Sequence, residues 1–317
     1  MREDVAAWFE RRTTTASDWP VDLLATVKGP TTVSVVLPAL NEEPTVGRIV
    51  EIVHRSFGTA APEHRRLVDE LVVIDGGSTD RTAEIAAAAG ARVVQRAEIL
   101  PEHTGSGGKG EAMWRSLAVT TGDIVVFVDA DLQSFTPSYI TGLLGPLLTD
   151  DSVHLVKAVY ERPLVEGATV VPAGGGRVTE LVARPLLSLL YPELTDLVQP
   201  LSGEYGGYRH ALEAVPFLVG YGVEIGLLID LSRRFGVDAL AQVDLGVRRH
   251  RNRPLSQLGP QAMTIMQVAL RRHVADLVPE ASALIRPDAD PLLVSAAEMP
   301  ALIDLPDYLE RHPASRA

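Results

Sequence analysis

Five short apolar runs, most of them rich in β-branched residues, constrain the fold of this chain more than any other feature. They begin roughly 30 residues apart, and each is long enough for one strand. The runs are Val33–Leu37, Leu71–Ile74, Arg92–Val94, Ile124–Val128 and Val153–Val159. Segments of helical composition lie between them, namely Thr45–Ser56, Thr79–Ala89, Gly110–Val119 and Ser138–Leu148. Because strands that are apolar throughout alternate with helices, we expect an α/β fold: a doubly wound, mainly parallel sheet with helices on both faces.

The second half of the chain is less regular. The stretch Val178–Leu190 has a helical composition, and Pro185 inside it predicts a kink or a break. The sequence also predicts a helix over Gly222–Phe235 and a strand over Ala241–Val247. A last helix is expected from Pro254 onward, with an apolar stripe that packs on its own domain or on a second copy of the chain. A homodimer is therefore expected.

The two end segments read differently from the centre. Residues 1–30 have the pattern of a short amphipathic helix followed by a linker bounded by Pro and Gly, so we expect an N-terminal helical extension there. Residues 254–317 are expected to form a C-terminal helical extension and a tail. The part of the tail after Arg286 is rich in Asp and Pro, and we expect it to be loosely ordered in part.

The composition excludes several classes of protein. Of the 317 residues 46% are apolar, enough for a large core, and 41 acidic against 29 basic residues give a net charge of −12. That charge disfavours nucleic-acid binding, which needs a basic surface. With no cysteine the chain has neither disulfides nor thiol chemistry. Its acidic start and lack of a long apolar run disfavour a secretory signal and a membrane span, so a cytoplasmic protein is expected.

Two carboxylates follow one of the predicted strands. Asp129 and Asp131 come directly after Ile124–Val128, and nothing in folding requires two like charges at that point. Ligands of α/β sheets bind at the carboxyl ends of the strands. Paired acidic groups there suit a hard divalent cation, which in turn commonly holds phosphates. The sequence therefore predicts a metal-bridged nucleotide at this edge.

Three more loops should meet the same edge of the sheet. They span residues 38–43, 75–80 and 105–110, and they bring acids, glycines and Lys109 together. Asp75 leaves a strand, so we assign it a ligand role, whereas Asp80 suits a ligand or a helix cap equally. The glycine loop is not a P-loop, because His103 stands where that motif needs Gly and Gly110 where it needs Ser or Thr. It still offers backbone N–H groups and an ammonium to a nucleotide.

Two basic segments complete the candidate site. The stretch Arg248–Arg253 is the only dense basic run in an acidic chain, which indicates a small anionic ligand rather than nucleic acid. His250 within it is a candidate metal ligand. Arg177 and Thr179 follow a run of glycines at the start of a predicted helix, a favourable place for an anion, although a simple Gly-rich turn with a capping Thr would look the same.

With these residues in hand, the chain resembles the metal-dependent nucleotide-sugar glycosyltransferases of the GT-A fold. The order PALNEE, IDGGSTD, VDAD carries that resemblance. Five later motifs, GSGGKGEAMWRSL, GGGRVTELVARPLL, QPLSGEYGGYR, GYGVEIGLLID and GVRRHRNRPL, are similar to the actinobacterial glucosyl-3-phosphoglycerate synthases. The resemblance covers Val33 to Leu258. It implies transfer of glucose from UDP-glucose to 3-phosphoglycerate with retention at the anomeric carbon, early in methylglucose lipopolysaccharide synthesis.

The resemblance also implies a division of the chain. Residues 31–253 would form the GT-A catalytic domain, with a donor half over 31–135 and an acceptor half over 136–253. Gln133-Ser134-Phe135 departs from the family's pattern, so the acceptor side is expected to differ in detail. The alternatives are a mannosyl-3-phosphoglycerate synthase that uses GDP-mannose, a lipid-phosphate sugar transferase, and a sugar-nucleotide sensor without activity.

Carried over by position, the resemblance assigns the donor site. The uridine pocket would be lined by Pro38, Ala39, Leu40, Glu42, Gly76 and Lys109. Asp129 would contact the ribose. Further residues of the donor site are Asp75, Ala130 and Tyr221. Asp131 and His250 would bind Mg²⁺ or Mn²⁺ across the diphosphate.

The catalytic and acceptor residues follow in the same way. Glu224 would hold the glucose hydroxyls beside Leu201, Arg248 would lie next to the diphosphate, and these act with Asp131. The acceptor would be bound by Gly176, Arg177, Thr179 and Asn252. Retention allows a covalent route through Glu224. We expect instead a front-face route, because an acid placed for sugar hydroxyls is poorly placed for attack.

Overall fold

The computed structural model describes residues 3–103, 105, 107–161, 164–166, 169–171, 176–248, 257–287 and 289–312. Its strands are β1 Thr13–Thr15, β2 Val33–Ala39, β3 Glu70–Asp75, β4 Arg92–Gln95, β5 Ile124–Phe127, β6 Leu155–Glu161, β7 Leu164–Glu166, β8 Thr169–Val171, β9 Tyr205–Tyr208, β10 Phe217–Leu218, β11 Leu240–Val247, β12 Ala281–Arg286, β13 Ala289–Ser295 and β14 Glu298–Met299. The large sheet has the order β1-β11-β6-β9-β5-β2-β3-β4. The expected α/β architecture is confirmed.

Most neighbours in this sheet are parallel, and β9 is the exception. In β2, Val35 pairs in parallel with Leu71 on one side and Val126 on the other. The strand β9 is antiparallel to both β5 and β6, where Gly206 lies opposite Val126 and Val156. A Cβ on Gly206 would lie 3.2 Å from the Leu147 side chain, so the helix Ser138–Thr149 packs closely over this strand. The sheet is therefore mainly parallel, as expected, with one inserted antiparallel strand.

Helices cover both faces of the sheet. They are α1 Glu3–Arg12, α2 Val21–Val27, α3 Val46–Phe57, α4 Thr82–Ala88, α5 Lys109–Leu117, α6 Ser138–Thr149, α7 Arg184–Leu190, α8 Arg209–Glu213, α9 Val223–Phe235, α10 Leu258–His273 and α11 Pro306–Arg311. Successive residues of β2 enter different cores: Val35 belongs to the core that includes residues of α3 and α6, and Val36 to the core that includes residues of α5 and α9. This alternation is what a strand buried on both faces requires. The doubly wound arrangement is therefore confirmed.

The predicted break at Pro185 lies at a change of helix type. A π-helix spans Thr179–Ala183, and α7 begins at Arg184 with the proline in its first turn. Proline has no N–H with which to continue a regular helix, and directly before it Arg184 N–H bonds to Thr179 O across the wider π turn. The side chain of Thr179, at the start of the π-helix, is buried, so this turn packs against the interior of the protein.

Both end segments differ from expectation. Part of residues 1–30 forms β1, which pairs in parallel with β11 and extends the large sheet, so the expected linker is wrong. The expectation of a loosely ordered tail is also wrong for residues 289–312. Strand β13 forms a hairpin with β12, β14 pairs with β10, and Trp114 donates a hydrogen bond to Pro300 O. The Tyr308 hydroxyl donates to buried Glu213, so apolar burial and polar contacts hold the tail in place.

Candidate active site

A cavity of about 590 Å³ opens at the carboxyl ends of β2, β3 and β5. It brings together most of the residues that the sequence assigned to a site, whose segments lie far apart in the chain. The assigned residues that line it are Pro38, Ala39, Leu40, Glu42, Gly76, Lys109, Asp129, Ala130, Asp131, Gly176, Arg177, Thr179, Leu201, Tyr221, Glu224 and Arg248. Their individual roles stay predictions. Because these residues line one cavity, ligands bound there can contact them together.

Asp75 does not line this cavity. Its buried carboxylate accepts hydrogen bonds from the backbone N–H and hydroxyl of Ser78 and from Gln95 Nε2. The residue therefore stabilises the turn after β3, and the structure does not support the ligand role that we assigned from its place at a strand end. Asp80 caps its helix, because Oδ1 accepts the backbone N–H and the hydroxyl of Thr82.

Two assigned ligands cannot be placed, and one residue of the segment that departs from the family pattern can. His250 and Asn252 lie outside the described residues, so their assigned roles stay predictions. Phe135, in the segment that departs from the family pattern, is buried against Tyr139 with ring centroids 5.2 Å apart. This aromatic residue belongs to the core.

Asp129 is held by two cations. Lys109 Nζ lies 2.6 Å from its Oδ1, and Arg248 Nη2 lies 3.0 Å from its Oδ2. Burial opposes ionisation of this carboxyl, but the two cations outweigh it and hold the pKa of Asp129 well below its usual range. Asp129 is therefore an ionised, fixed acceptor of hydrogen bonds on the wall of the cavity.

Asp131 is in a different environment although it is only two residues away. Half of its side chain is exposed, against a fifth for Asp129, and its nearest cation in the described part of the chain is Arg248 at 3.7 Å. Burial and then the charge of Asp129 raise the pKa of Asp131. A carboxylate destabilised in this way gains from a nearby cation, because an opposite charge favours the ionised form.

Arg248 links these carboxylates to a buried acid that the sequence did not single out. The residue follows β11, and its Nη2 lies 3.1 Å from Glu204 Oε1 while its Nη1 donates to the hydroxyl of Tyr160. Burial raises the pKa of Glu204, and Asp129 adds to the effect although Arg248 opposes it. Glu204 precedes β9 within QPLSGEYGGYR, a motif that supports the family resemblance but to which we assigned no role for this acid.

Lys109 also contacts Glu224 across the cavity. Lys109 begins α5 and Glu224 lies in the first turn of α9, with Nζ 3.1 Å from Oε1. The ammonium that we expected at the polar edge of a nucleotide is therefore paired with two carboxylates in this structure. It joins the wall formed by Asp129 to the wall formed by Glu224.

Close backbone packing fixes Lys109 in this position. Gly108 has φ +146°, a value that L side chains rarely adopt, and a Cβ on Gly110 would lie only 1.8 Å from Leu218 O. Behind the loop, buried Glu111 accepts hydrogen bonds from Gly107 N and from Arg115 Nε. The glycines thus allow α5 to begin directly against β10.

A buried lysine lies beneath the cavity. Lys157 in β6 donates to Ser202 O at 2.5 Å, and its Nζ lies 4.3 Å from the centre of the Tyr205 ring. Burial lowers the pKa of Lys157 to about 7. Leu201 and Gly203, on either side of Ser202, both line the cavity. Lys157 could not be singled out from the sequence, because it lies within Val153–Val159, a run that predicts an apolar strand.

The charged residues present fit a divalent cation only in part. Among the described residues no group of three or more His, Cys, Asp or Glu side chains could hold a metal ion. Asp131 offers a half-exposed carboxylate 3.7 Å from Arg248. Mg²⁺ commonly takes one or two carboxylates and completes its shell with substrate phosphates. The donor set therefore fits a cation that binds together with a diphosphate.

Comparison with known proteins identifies the family. The model of glycosyl transferase family 2 matches residues 34–179. The glucosyl-3-phosphoglycerate synthase of Mycolicibacterium smegmatis is 54% identical over 265 residues, which cover 84% of this chain and 85% of that protein. The chain belongs to the glucosyl-3-phosphoglycerate synthase family. The resemblance read from the sequence motifs is confirmed.

Solved structures agree with this family and with the GT-A fold. The Mycobacterium tuberculosis glucosyl-3-phosphoglycerate synthase, in complex with Mn²⁺, UDP-glucose and phosphoglyceric acid, is 46% identical with a TM-score of 0.79 over 92% of this chain and 98% of that one. The mannosyl-3-phosphoglycerate synthase of Rubrobacter xylanophilus is 37% identical with a TM-score of 0.82 over 95% of this chain and 99% of that one. None of the described helices has the length and apolar character needed to cross a membrane.

Proposed function

We propose that this protein transfers glucose from UDP-glucose to 3-phosphoglycerate, giving glucosyl-3-phosphoglycerate and UDP, with Mg²⁺ or Mn²⁺ as cofactor. The observation that carries the proposal is the single cavity shared by Asp131 and Arg248 on one side and Arg177 and Thr179 on the other. A diphosphate with its cation needs the first pair. A phosphorylated acid needs the second.

The donor would occupy the side of the cavity next to β2 and β5. Pro38 to Leu40 and Gly76 offer backbone and apolar surface for uracil, and fixed Asp129 accepts from the ribose hydroxyls. Asp131 would hold the divalent cation, with His250 assigned as a second ligand. When bound, that cation neutralises the charge that develops on the departing UDP. Arg248 supports the same charge from a position fixed by Asp129 and Glu204.

The acceptor would bind at the start of the π-helix. Gly176 has φ +74° and its carbonyl accepts from Glu180 N, so the backbone turns sharply there into the helix. Arg177 and the buried Thr179 follow, and both line the cavity. A guanidinium and a hydroxyl at a helix start suit a phosphate.

Glu224 is better suited to binding glucose than to attacking it. Its carboxylate is paired with the ammonium of Lys109, which stabilises the charge and lowers its nucleophilicity. In the front-face route, the bond from the anomeric carbon to the diphosphate oxygen breaks. The C2 hydroxyl oxygen of 3-phosphoglycerate forms the new bond on the same face, and its proton passes to the departing diphosphate oxygen. Leu201 lies on the wall of the same cavity.

The test is a donor and acceptor matrix. The purified protein is incubated with UDP-glucose, GDP-glucose or GDP-mannose, each with 3-phosphoglycerate, with and without Mg²⁺. The expected result is product with UDP-glucose and Mg²⁺ and release of UDP, with no turnover after chelation. Turnover of UDP-glucose without any divalent cation, or none with 3-phosphoglycerate, contradicts the proposal.

A second candidate follows from one observation. The mannosyl-3-phosphoglycerate synthase of R. xylanophilus has the same fold over nearly the whole chain. The same matrix separates the two activities, because faster transfer from GDP-mannose than from UDP-glucose would favour the second one.

The expectation of a cytoplasmic homodimer stays a prediction. Exposed apolar side chains on the π-helix and the hairpin, such as Leu181 and Leu293, offer surface for a second copy. Light scattering of the purified protein would measure its mass. A mass near 34.1 kDa, that of one chain, contradicts the homodimer.

A further inference from the structure

The cavity contains a polar side chain to which neither the sequence motifs nor the proposed function gives a role. Gln261 lies in the first turn of α10, is half-buried and lines the cavity together with Leu258. In the described structure its carboxamide makes no hydrogen bond with protein, although both of its polar atoms can take part in one. A half-buried amide that faces a cavity without a partner has unused capacity for a ligand.

The position of α10 places Gln261 beside the acceptor segment. The helix packs against both α9 and the π-helix Thr179–Ala183. A Cβ on Gly222 would lie 3.3 Å from the Thr264 side chain, so α10 is held against the start of α9, close to Glu224. Gln261 is three residues before Thr264 and lies on the same helical face. It therefore lies where the sugar side and the acceptor side of the cavity meet.

The chemistry of the acceptor favours a donor group at this point. 3-Phosphoglycerate carries a phosphate at one end and a carboxylate at the other, so each end needs its own hydrogen-bond donors. Arg177 and Thr179 can serve one end. The lining residues on this side, Val178, Leu258 and Gln261, include no acid, whereas Glu42, Asp129, Asp131 and Glu224 line other walls of the cavity.

We propose that the carboxamide of Gln261 recognises the carboxylate of the acceptor by donating from Nε2. The inference rests on the proposed function, since it concerns the same acceptor. It makes Gln261 a specificity residue that favours a phosphorylated acid over a phosphorylated alcohol of the same length.

The experiment measures acceptor binding in the presence of UDP and Mg²⁺ by calorimetry. The ligands are 3-phosphoglycerate and glycerol 3-phosphate, which keeps the phosphate and lacks the carboxylate. The variants are Gln261→Leu, which removes the amide, and Gln261→Glu, which adds a charge at nearly the same volume. Gln257→Glu is the matched control, because Gln257 is exposed and does not line the cavity.

We expect Gln261→Leu to weaken 3-phosphoglycerate binding about tenfold and to leave glycerol 3-phosphate within about twofold, as for loss of one hydrogen bond to a charged group. Gln261→Glu should weaken 3-phosphoglycerate more, through repulsion of like charges, and the Gln257 control should not. Equal loss for both ligands, or no loss, overturns the inference. If the wild-type protein itself fails to bind or glucosylate 3-phosphoglycerate, the proposed function fails, and that outcome is visible before any variant is compared.

Discussion

Lys109 and Asp129 form an ion pair on the wall of the cavity, with Nζ 2.6 Å from Oδ1. The same carboxylate is bound from the other side by Arg248. Contacts within the protein therefore hold in place the charged groups that a sugar nucleotide needs. Preorganised charges of this kind stabilise developing charge without the cost of reorienting dipoles during the reaction.

Removing the half-exposed carboxylate of Asp131 should remove most of the metal-dependent activity. We expect Asp131→Asn to lower kcat at least about a hundredfold, more than is usual for a residue that only supports a metal ligand. The fold should be retained, because Asp131 is half-exposed on a loop. Steady-state rates at several Mg²⁺ concentrations, with circular dichroism as a check of folding, measure this. Asp290→Asn, an exposed change on β13, is the control, and near-normal turnover of Asp131→Asn would refute the assignment.

Replacement of the acceptor-side cation should act on binding. We expect Arg177→Ala to raise the KM for 3-phosphoglycerate roughly 10- to 100-fold, since one charge-assisted hydrogen bond contributes about 1.5–3 kcal/mol. The KM for UDP-glucose should change little. Arg65→Ala removes an exposed charge outside the cavity and should leave both constants unchanged. If only the KM for UDP-glucose rose, Arg177 would act on the donor, and its assignment to the acceptor would be refuted.

A methyl group at Gly203 should disturb the ion pairs directly. A Cβ there would lie 2.2 Å from Asp129 Oδ2 and 2.7 Å from Lys109 Nζ, so one of the two charges must move. We expect Gly203→Ala to lower kcat on the order of a hundredfold, as for a displacement of about 1 Å in a catalytic site. Gly220→Ala is a matched control on the same cavity, because its Cβ would meet nothing within 4 Å. Equal activity of the two variants would contradict the prediction, because it would show that activity does not depend on the exact positions of Lys109 and Asp129.

The buried lysine predicts a dependence of stability on pH. Burial lowers the pKa of Lys157 to about 7 from 10.5, so above pH 7 the unfolded chain binds this proton more tightly than the folded one. Stability then rises with pH relative to Lys157→Met, by up to about 1.4 kcal/mol per pH unit until the unfolded lysine also titrates. Urea denaturation of both proteins at pH 6, 8 and 9 measures the difference, in which other groups cancel. A difference that is constant with pH would contradict the prediction.

The front-face route predicts that no covalent intermediate forms on Glu224. Incubation with a slow-reacting fluorinated UDP-glucose should leave the intact mass of the protein unchanged, while Glu224→Gln should weaken donor binding. Mass spectrometry of the whole chain and of its peptides is the measurement. A glycosyl adduct on Glu224 would establish a double displacement instead.

The sequence predicted the parallel strands well and missed the strand between them. Apart from Ser34, Val33–Leu37 and Ile124–Val128 are apolar because both of their faces are buried, and that pattern is visible without a structure. Tyr205–Tyr208 has two central glycines and no β-branched residue, so its composition does not predict a strand. It forms one because its neighbours supply both ladders and because glycine admits α6 at short range.

The same contrast holds for the site. Residues in loops after strands, such as Asp131 and Gly76, could be predicted because the topology gathers them at one edge. Asp75 shows the limit of that argument, since a strand end also needs groups that stabilise its turn. Lys157 and Glu204 could not be predicted, because their importance comes from charges that are distant in sequence and meet only in the fold.

The contacts of residues 298–308 have a consequence for synthesis on the ribosome. Strand β14 pairs with β10, Pro300 O accepts from Trp114 of α5, and Tyr308 reaches buried Glu213. Lys109 lies at the start of that same helix. A nascent chain that has not yet released these late residues leaves one side of α5 and the edge of β10 uncovered. The nucleotide half is translated early, but it acquires its final packing only when nearly all of the polypeptide has emerged.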